Sequence, residues 1–185
     1  MILDIGSGGD PFPYATILGD RYLQPTRHRQ SKFRTLDKPV VICDINALPF
    51  RKHQFDYAVC SHVLEHVNEP IQACMELQRV AQAGFIETPA LMKDALFAWA
   101  KGMHKWHVVK IANRLVFFEY SERLADGVGS KQWYQLIFGP IYHPLQKVFN
   151  ENQDIFNTML EWNASFEVTV MMLDGTVYDS ITIVK

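Results

Sequence analysis

LDIGSGGDP, residues 3–11, is the stretch that decides how this chain folds. Its apolar residues, preceded by Met1 and Ile2, run into a glycine-rich turn, which is how a buried strand feeding a tight loop reads. Gly6, Gly8 and Gly9 let the backbone turn sharply and approach a ligand closely, and a helix starting behind the turn would offer free N–H groups. The carboxylate of Asp4 suits a cationic or hydroxyl-bearing ligand better than a pyrophosphate. A dinucleotide loop would need GxGxxG with an acid about 20 residues further on, whereas position 11 is Pro11. Alone, DxGxG serves a structural turn as well as it serves a ligand.

Beyond the turn, PYATILGD (residues 13–20) can carry a short helix, and a short strand is expected near residues 22–24. PVVICD (39–44) and FDYAVC (55–60) are apolar and rich in β-branched residues, so both read as buried strands. A helix follows, with Asn68 as N-cap, Pro70 in its first turn, Ile71, Cys74, Leu77 and Ala81 on its apolar face, and Gly84 as its stop. FIETP (85–89) is the next strand. This alternation predicts an α/β fold, an open, mostly parallel sheet with helices on both faces, whose ligands bind beyond the carboxyl ends of the strands. The loops after Ile5, Asp44, Cys60 and Glu87 then share one rim. A helix over 91–103, a strand over 115–120, a helix-rich insertion over 133–160 and a final hairpin around Asp174-Gly175 complete the pattern.

The 185 residues, 48% of them hydrophobic, suit one domain with one core. A formal charge of −2, from 18 basic and 20 acidic residues, leaves no electrostatic footprint for duplex nucleic acid. Cys43, Cys60 and Cys74 form no CxxC and lie in apolar runs, so buried, reduced thiols are expected. The first residues carry no basic leader, and no segment offers the ~18 apolar residues of a membrane span. A soluble, cytoplasmic protein is the expectation. RHRQSKFR (27–34) reads as a solvated loop that could also attract a phosphate-bearing acceptor.

Two histidine clusters stand out. CSHVLEHV (60–67) contains HxxEH, the spacing with which some metallopeptidases hold zinc. The segment before Asn68-Glu69-Pro70 is only a turn or two, and spacing assigns no third ligand, so the zinc hydrolase reading is the remote one and no metal site is expected. His62, at the rim, is the exception to a structural role for this cluster; His66 is expected to pack on a helix or hydrogen-bond, and Glu65 to hold a loop or cap. HKWH (104–107) reads as a capped helix end with an interfacial Trp106, or as a source of a base in His104 or His107. No cysteine joins the two clusters at a zinc spacing.

The order of parts is more specific than any one of them. LDIGSGG (3–9), CDINALPF (43–50), FDYAVCSHVLEHV (55–67) and ELQRV (76–80) follow one another as in the class I S-adenosylmethionine-dependent methyltransferases, which this chain resembles over residues 1–90. The resemblance is to the group with an LPF motif, the type 11-like methyltransferases. It implies a Rossmann-like, seven-stranded sheet with an antiparallel C-terminal strand, in a single domain over 1–185. Residues 1–90 would be the cofactor-binding half, and residues 91–185, with an insertion at about 121–160, the acceptor side. It further implies S-adenosyl-L-methionine as cofactor. Gly6, Ser7, Gly8 and Gly9 would pack on its methionine portion, and Asp4 would lie near its ammonium. Asp44 would meet the adenine amine, with Ile45 and Leu48 along the ring. Ser61 and His62 would sit beside the sulfonium and acceptor. The third glycine of the usual DxGxGxG is Asp10 here, and the acid that normally follows the second strand falls by spacing near Gln24, with Asp20 the nearest carboxylate. The acceptor implied is an oxygen or nitrogen of a small-molecule or glycan-linked compound, with His62, then His104 or His107, as base. The aromatic residues of the C-terminal half, among them Trp133, Tyr134, Phe138 and Tyr142, are core by default, and a subset in the 133–160 insertion could cover the acceptor pocket or a partner chain. The alternative is a non-catalytic module of the same fold that binds S-adenosylhomocysteine or serves an assembly.

Overall fold

The computed structural model describes residues 1–26, 29, 31–97, 102–121, 139 and 144–180. In chain order its elements are β1 (Ile2–Ile5), β2 (Ile17–Asp20), β3 (Val40–Ile42), β4 (Phe55–Ser61), a 3-10 turn (Leu64–His66), α1 (Pro70–Val80), β5 (Ala81–Pro89), α2 (Leu91–Phe97), β6 (Trp106–Ile111), β7 (Arg114–Glu119), α3 (Pro144–Glu151), α4 (Gln153–Phe156), β8 (Asn157–Asn163), β9 (Glu167–Met171) and β10 (Val177–Asp179). The main sheet has the order β3-β2-β1-β4-β5-β8, and a second sheet the order β10-β9-β7-β6.

β1 to β5 pair in parallel, and β8 closes the edge antiparallel to β5. The apolar runs explain the centre: Leu3, Ile5, Ala58 and Cys60 are buried between the layers, as parallel strands covered on both faces require. Strand order reverses between β1, which leads outward to β2, and β4, which leads the other way to β5. A ligand crevice belongs at that reversal, beyond Ile5 and Ser61.

Several expectations are corrected. Residues 13–20 form no helix; Ile17–Asp20 is strand β2, reached from β1 by turns alone. Gly19 is the reason this short strand can dock: a Cβ there would lie 2.6 Å from Ile5 Cδ1. No strand occupies 22–24. Gly84 does not stop α1, which ends at Val80, with the Ala81 N–H bonded to the Leu77 carbonyl, before β5 starts immediately. Gly84 instead lies within β5, where a Cβ would meet the Ala58 carbonyl at 2.3 Å and the Trp162 indole at 2.8 Å. Asn68 is not the cap of α1; Glu69 holds that position without a side-chain bond, and Pro70 opens the helix with φ preset and no N–H to satisfy.

The α/β class and mostly parallel sheet stand, with six strands among the described residues where seven were expected. The antiparallel edge strand is β8, inside the expected helix-rich insertion. Its burial alternates through Thr158, Leu160 and Trp162, the period of a strand. α3 and α4 are the helical part of that insertion among the described residues. The Asp174-Gly175 hairpin forms as β9 and β10, with Gly175 at φ +88°, but joins the second sheet. HKWH enters β6 and caps no helix, since Trp106 and His107 pair with Glu119 and Phe118 of β7. α2 is described to Phe97. The rest of the expected 91–103 helix up to 101, and Trp133, Tyr134, Phe138 and Tyr142, lie outside the described residues, as do Arg27, His28 and Gln30 of the basic stretch.

α1 contacts β5 of the first sheet and β9 of the second. One hydrophobic cluster accordingly joins Leu3, Ile5 and Phe55 to Leu115, Phe117, Val168 and Val170. Cys43, Cys60 and Cys74 are free and buried, and burial raises all three thiols above their ordinary range, which makes them unreactive. Among the described residues no helix is long and apolar enough to cross a membrane.

Candidate active site

The turn after β1 is built to admit close neighbours. Gly6 has φ +77° and donates to the Gly19 carbonyl at 2.7 Å, and a Cβ on it would strike Val63 Cγ2 at 2.1 Å. The loops after β1 and β4 therefore touch, as the reversal of strand order demands. Gly8, at φ +51°, donates to Asp20 Oδ2 at 3.0 Å. Gly9 faces Ser31, whose Oγ would be 2.2 Å from a Cβ there. Ser7 is buried, and its hydroxyl has no hydrogen-bond partner among the described residues. No helix follows this turn, so the N–H groups it presents belong to the turn itself.

Asp4 is buried and accepts from the Phe12 N–H at 2.8 Å. Burial pushes its carboxyl up to about 6, against the lowering effects of that bond and of Lys38. Asp20 ends β2, where it accepts from Gly8, from Tyr22 N at 2.8 Å and from the Arg29 guanidinium at 3.1 Å. Gln24 is not at that strand end; it is exposed, and its carbonyl accepts from Arg29 at 2.9 Å. A sequence reading of ILGD as strand would have put Asp20 in this position, because the acid directly follows the last apolar residues.

Asp44 follows β3 and folds its own loop: Oδ1 accepts from Asn46 N at 2.9 Å, while Oδ2 pairs with Arg21 at 3.2 Å. Ile45 and Leu48 are buried. The LPF segment is clamped from α1, where Glu76 accepts from Leu48 N at 2.7 Å and Arg79 donates to the carbonyls of Leu48 at 2.8 Å and Phe50 at 2.6 Å. The Glu76–Arg79 pair, 2.6 Å apart, links these bonds, and the two side chains hold each other charged. This explains why ELQRV accompanies LPF in the sequence.

Ser61 ends β4 and His62 follows at φ +55°, a strained conformation for a side chain of its size. Its N–H donates to the Glu87 carbonyl at 2.8 Å, which fixes the imidazole between Glu65 (Nδ1 to Oε1, 3.5 Å) and Glu87 (Nε2 to Oε1, 3.6 Å). The side chain is 42% exposed, so an acceptor can reach it. Behind it Glu65 is 1% exposed. Burial would raise that carboxyl, yet the His62 hydrogen bond and the charges of His66, His62 and His104 bring it below its ordinary value.

His104 and His107 converge on Asp94 of α2. His104 Nδ1 lies 3.0 Å from Oδ1, and His107 Nδ1 lies 3.4 Å from Oδ2. Burial opposes ionisation of Asp94, but the two histidines outweigh it and lower its carboxyl. His107 is itself buried and stacks on Tyr120, with ring centroids 4.5 Å apart. His66 and His104 meet edge to face at 4.9 Å. The two clusters are thus one assembly of carboxylates and imidazoles with His62 on its open side. Glu65, Asp94 and Glu87 are the members that sequence spacing did not single out as functional.

Residues 3–85 match a family model described as a methyltransferase domain. No curated protein matches the chain. Among solved structures it is similar to an S-adenosylmethionine dependent methyltransferase from Mesorhizobium loti, with 14% identity, 86% of this chain and 88% of that one covered, and a TM-score of 0.41. It is also similar to the [4+2]-cyclase SpnF, with 17% identity, 56% and 45% coverage and a TM-score of 0.40. A third is a possible histamine N-methyltransferase from Thermotoga maritima, with 20% identity, 49% and 44% coverage and a TM-score of 0.38. The chain thus spans less than half the length of the cyclase and of the Thermotoga protein. The matched segment runs from β1 into β5 and holds the glycine turn, the LPF loop with its α1 clamp, and the β4 loop in their spatial order. Over residues 3–85 the chain thus matches a methyltransferase domain, which is consistent with the class I S-adenosylmethionine-dependent methyltransferases.

Proposed function

We propose that the protein transfers the methyl group of S-adenosylmethionine to an oxygen or nitrogen of a small-molecule or glycan-linked acceptor. One observation carries the reading: Asp4, Asp20 and His62 stand at the carboxyl ends of β1, β2 and β4 around a single glycine turn, at the reversal of strand order. The fit to the cofactor rests on two buried polar groups. Asp4 is a buried carboxyl that a nearby ammonium would keep ionised, and the Ser7 hydroxyl is buried without a partner among the described residues. Gly6, Gly8 and Gly9 shape the tight turn against which the methionine portion would lie. Asp20, in place of Gln24, takes the ribose hydroxyls, and Asp44 the adenine amine, with Ile45 and Leu48 along the ring.

The cofactor supplies a methyl group on a sulfonium, and displacement there needs alignment above all. Ser61 and His62 flank the acceptor. His62, reachable from solvent and oriented by two carboxylates, removes the proton of an acceptor hydroxyl, while His104 and His107 lie deeper and act behind it. Calorimetric titration with S-adenosylmethionine and S-adenosylhomocysteine is the first test, and both should bind. A screen of hydroxyl- and amine-bearing compounds then supplies an acceptor, on which His62→Ala should lower kcat by about 10²- to 10⁴-fold with cofactor affinity retained. Unchanged turnover removes His62 from this role.

A second reading, a non-catalytic module of the same fold, is favoured by Arg29. Its guanidinium, 15% exposed, already pairs with Asp20 and donates to the Tyr22 carbonyl at 2.6 Å. A chain that fills its own ribose position would bind neither cofactor form at millimolar concentration.

A further inference from the structure

The histidines and carboxylates behind His62 bring metal-ligating atoms of three residues close together. Glu65, His66 and His104 each offer a donor atom within 4.8 Å of the other two. Zinc bonds of about 2.0–2.1 Å put tetrahedral ligands roughly 3.3 Å apart, so small rotamer adjustments close the set. One pair is nearly there, with His66 Nε2 3.6 Å from Glu65 Oε1.

The surroundings orient both imidazoles as metal sites do. His66 Nδ1 lies 3.0 Å from the Met103 carbonyl, and His104 Nδ1 lies 3.0 and 3.1 Å from the two oxygens of Asp94. A carbonyl or carboxylate can only accept, so each Nδ1 is the donor, and it is Nε2 that would offer its lone pair to a metal ion from the neutral ring. A carboxylate behind a ligating histidine is the recurrent outer support of metal sites. Independently, Glu65 Oε2 is buried with no hydrogen-bond partner among the described residues, an oxygen that costs stability unless something fills its position.

We propose that Glu65, His66 and His104 bind one divalent transition-metal ion, tying the 3-10 turn after β4 to the segment that leads into β6. Two imidazoles and one carboxylate suit zinc, iron(II) or cobalt(II) and disfavour magnesium and calcium. The HxxEH pair is not the ligand set, because His62 stands on the open side and its place is taken by His104 from a distant part of the chain. Three protein ligands leave a tetrahedral position for water or an acceptor oxygen. The site stands independently of the cofactor assignment.

The test uses the full chain, stripped with chelator and titrated with zinc chloride by calorimetry, and in parallel with cobalt(II), whose visible absorption reports coordination. One equivalent of zinc should bind with submicromolar affinity, and cobalt should give the intense bands of a four- or five-coordinate ion. His66→Gln and His104→Gln should each weaken zinc by at least about 100-fold, and Asp94→Asn by about 10- to 100-fold through its hold on His104. His53→Gln, at an exposed position, should leave binding unchanged. His66 is partly exposed, so its variant keeps the comparison valid if His104→Gln does not fold. Substoichiometric or octahedral-only binding by the folded chain overturns the site, as does zinc affinity unaltered in the folded His66→Gln variant.

Discussion

Asp4 shows how a single residue can be unfavourable for the fold and still suit a site. Burial raises its carboxyl from 3.8 to about 6, so the folded chain holds that proton more tightly than the unfolded chain. The sign follows from proton linkage: this group favours folding fully below pH 3.8, and the contribution is lost as pH rises through about 6. At neutral pH the native state therefore carries a poorly solvated anion. Asp4→Asn, which can still accept from the Phe12 N–H, should raise stability at pH 7.5 by about 1–3 kcal/mol and change it little below pH 4. If an ammonium complements Asp4, the wild type should lose cofactor affinity as pH falls below about 6, by up to tenfold per unit, and the variant should bind poorly throughout. Denaturation midpoints and calorimetry at several pH values read both; a variant less stable at pH 7.5 sinks the argument.

At the scale of elements, the clamp from α1 onto the LPF loop is the best example of a motif with a mechanical reason. Arg79 supplies the carbonyls of Leu48 and Phe50 with donors and keeps Glu76, 8% exposed, charged and paired. Arg79→Ala leaves a largely buried carboxylate and two carbonyls short of partners, and should cost about 2–4 kcal/mol in urea denaturation. Arg79→Lys should recover only part, because an ammonium lacks the guanidinium fork. A loss below about 0.5 kcal/mol would show the loop to be held by its apolar residues alone. The sequence made this region legible because strand, loop and clamp are close along the chain and strongly patterned. β2 was not legible, since ILGD is short and follows residues that tolerate a helix, and only the approach of Ile5 to Gly19 explains its pairing. Gly84 misleads for a similar reason: Trp162, far along the chain, decides what that glycine is for. The histidine assembly was half visible, because HxxEH and HKWH declare themselves while Asp94 and the convergence of Glu65 with His104 depend on α2 and β6 folding back.

The described residues form two sheets, yet the core is not divided between them. α1 touches β5 on one side and β9 on the other, and the buried cluster runs from Leu3 through Leu77 to Phe117 and Val168. Parallel β7–β9 pairing adds a long-range tie, since the strand after β8 returns beside one formed before α3. Such a core predicts that the glycine turn cannot persist when the second sheet opens. Phe117, fully buried in β7, tests this: Phe117→Ala should cost about 3–5 kcal/mol through lost burial and the cavity left behind. In native-state hydrogen exchange, the slowest amides of β1 and β4 should lose as much protection as those of β7, because both report one global opening. Faster exchange confined to β6, β7, β9 and β10 would instead mean that the second sheet opens alone, and that residues 3–85 keep their turn and rim without it.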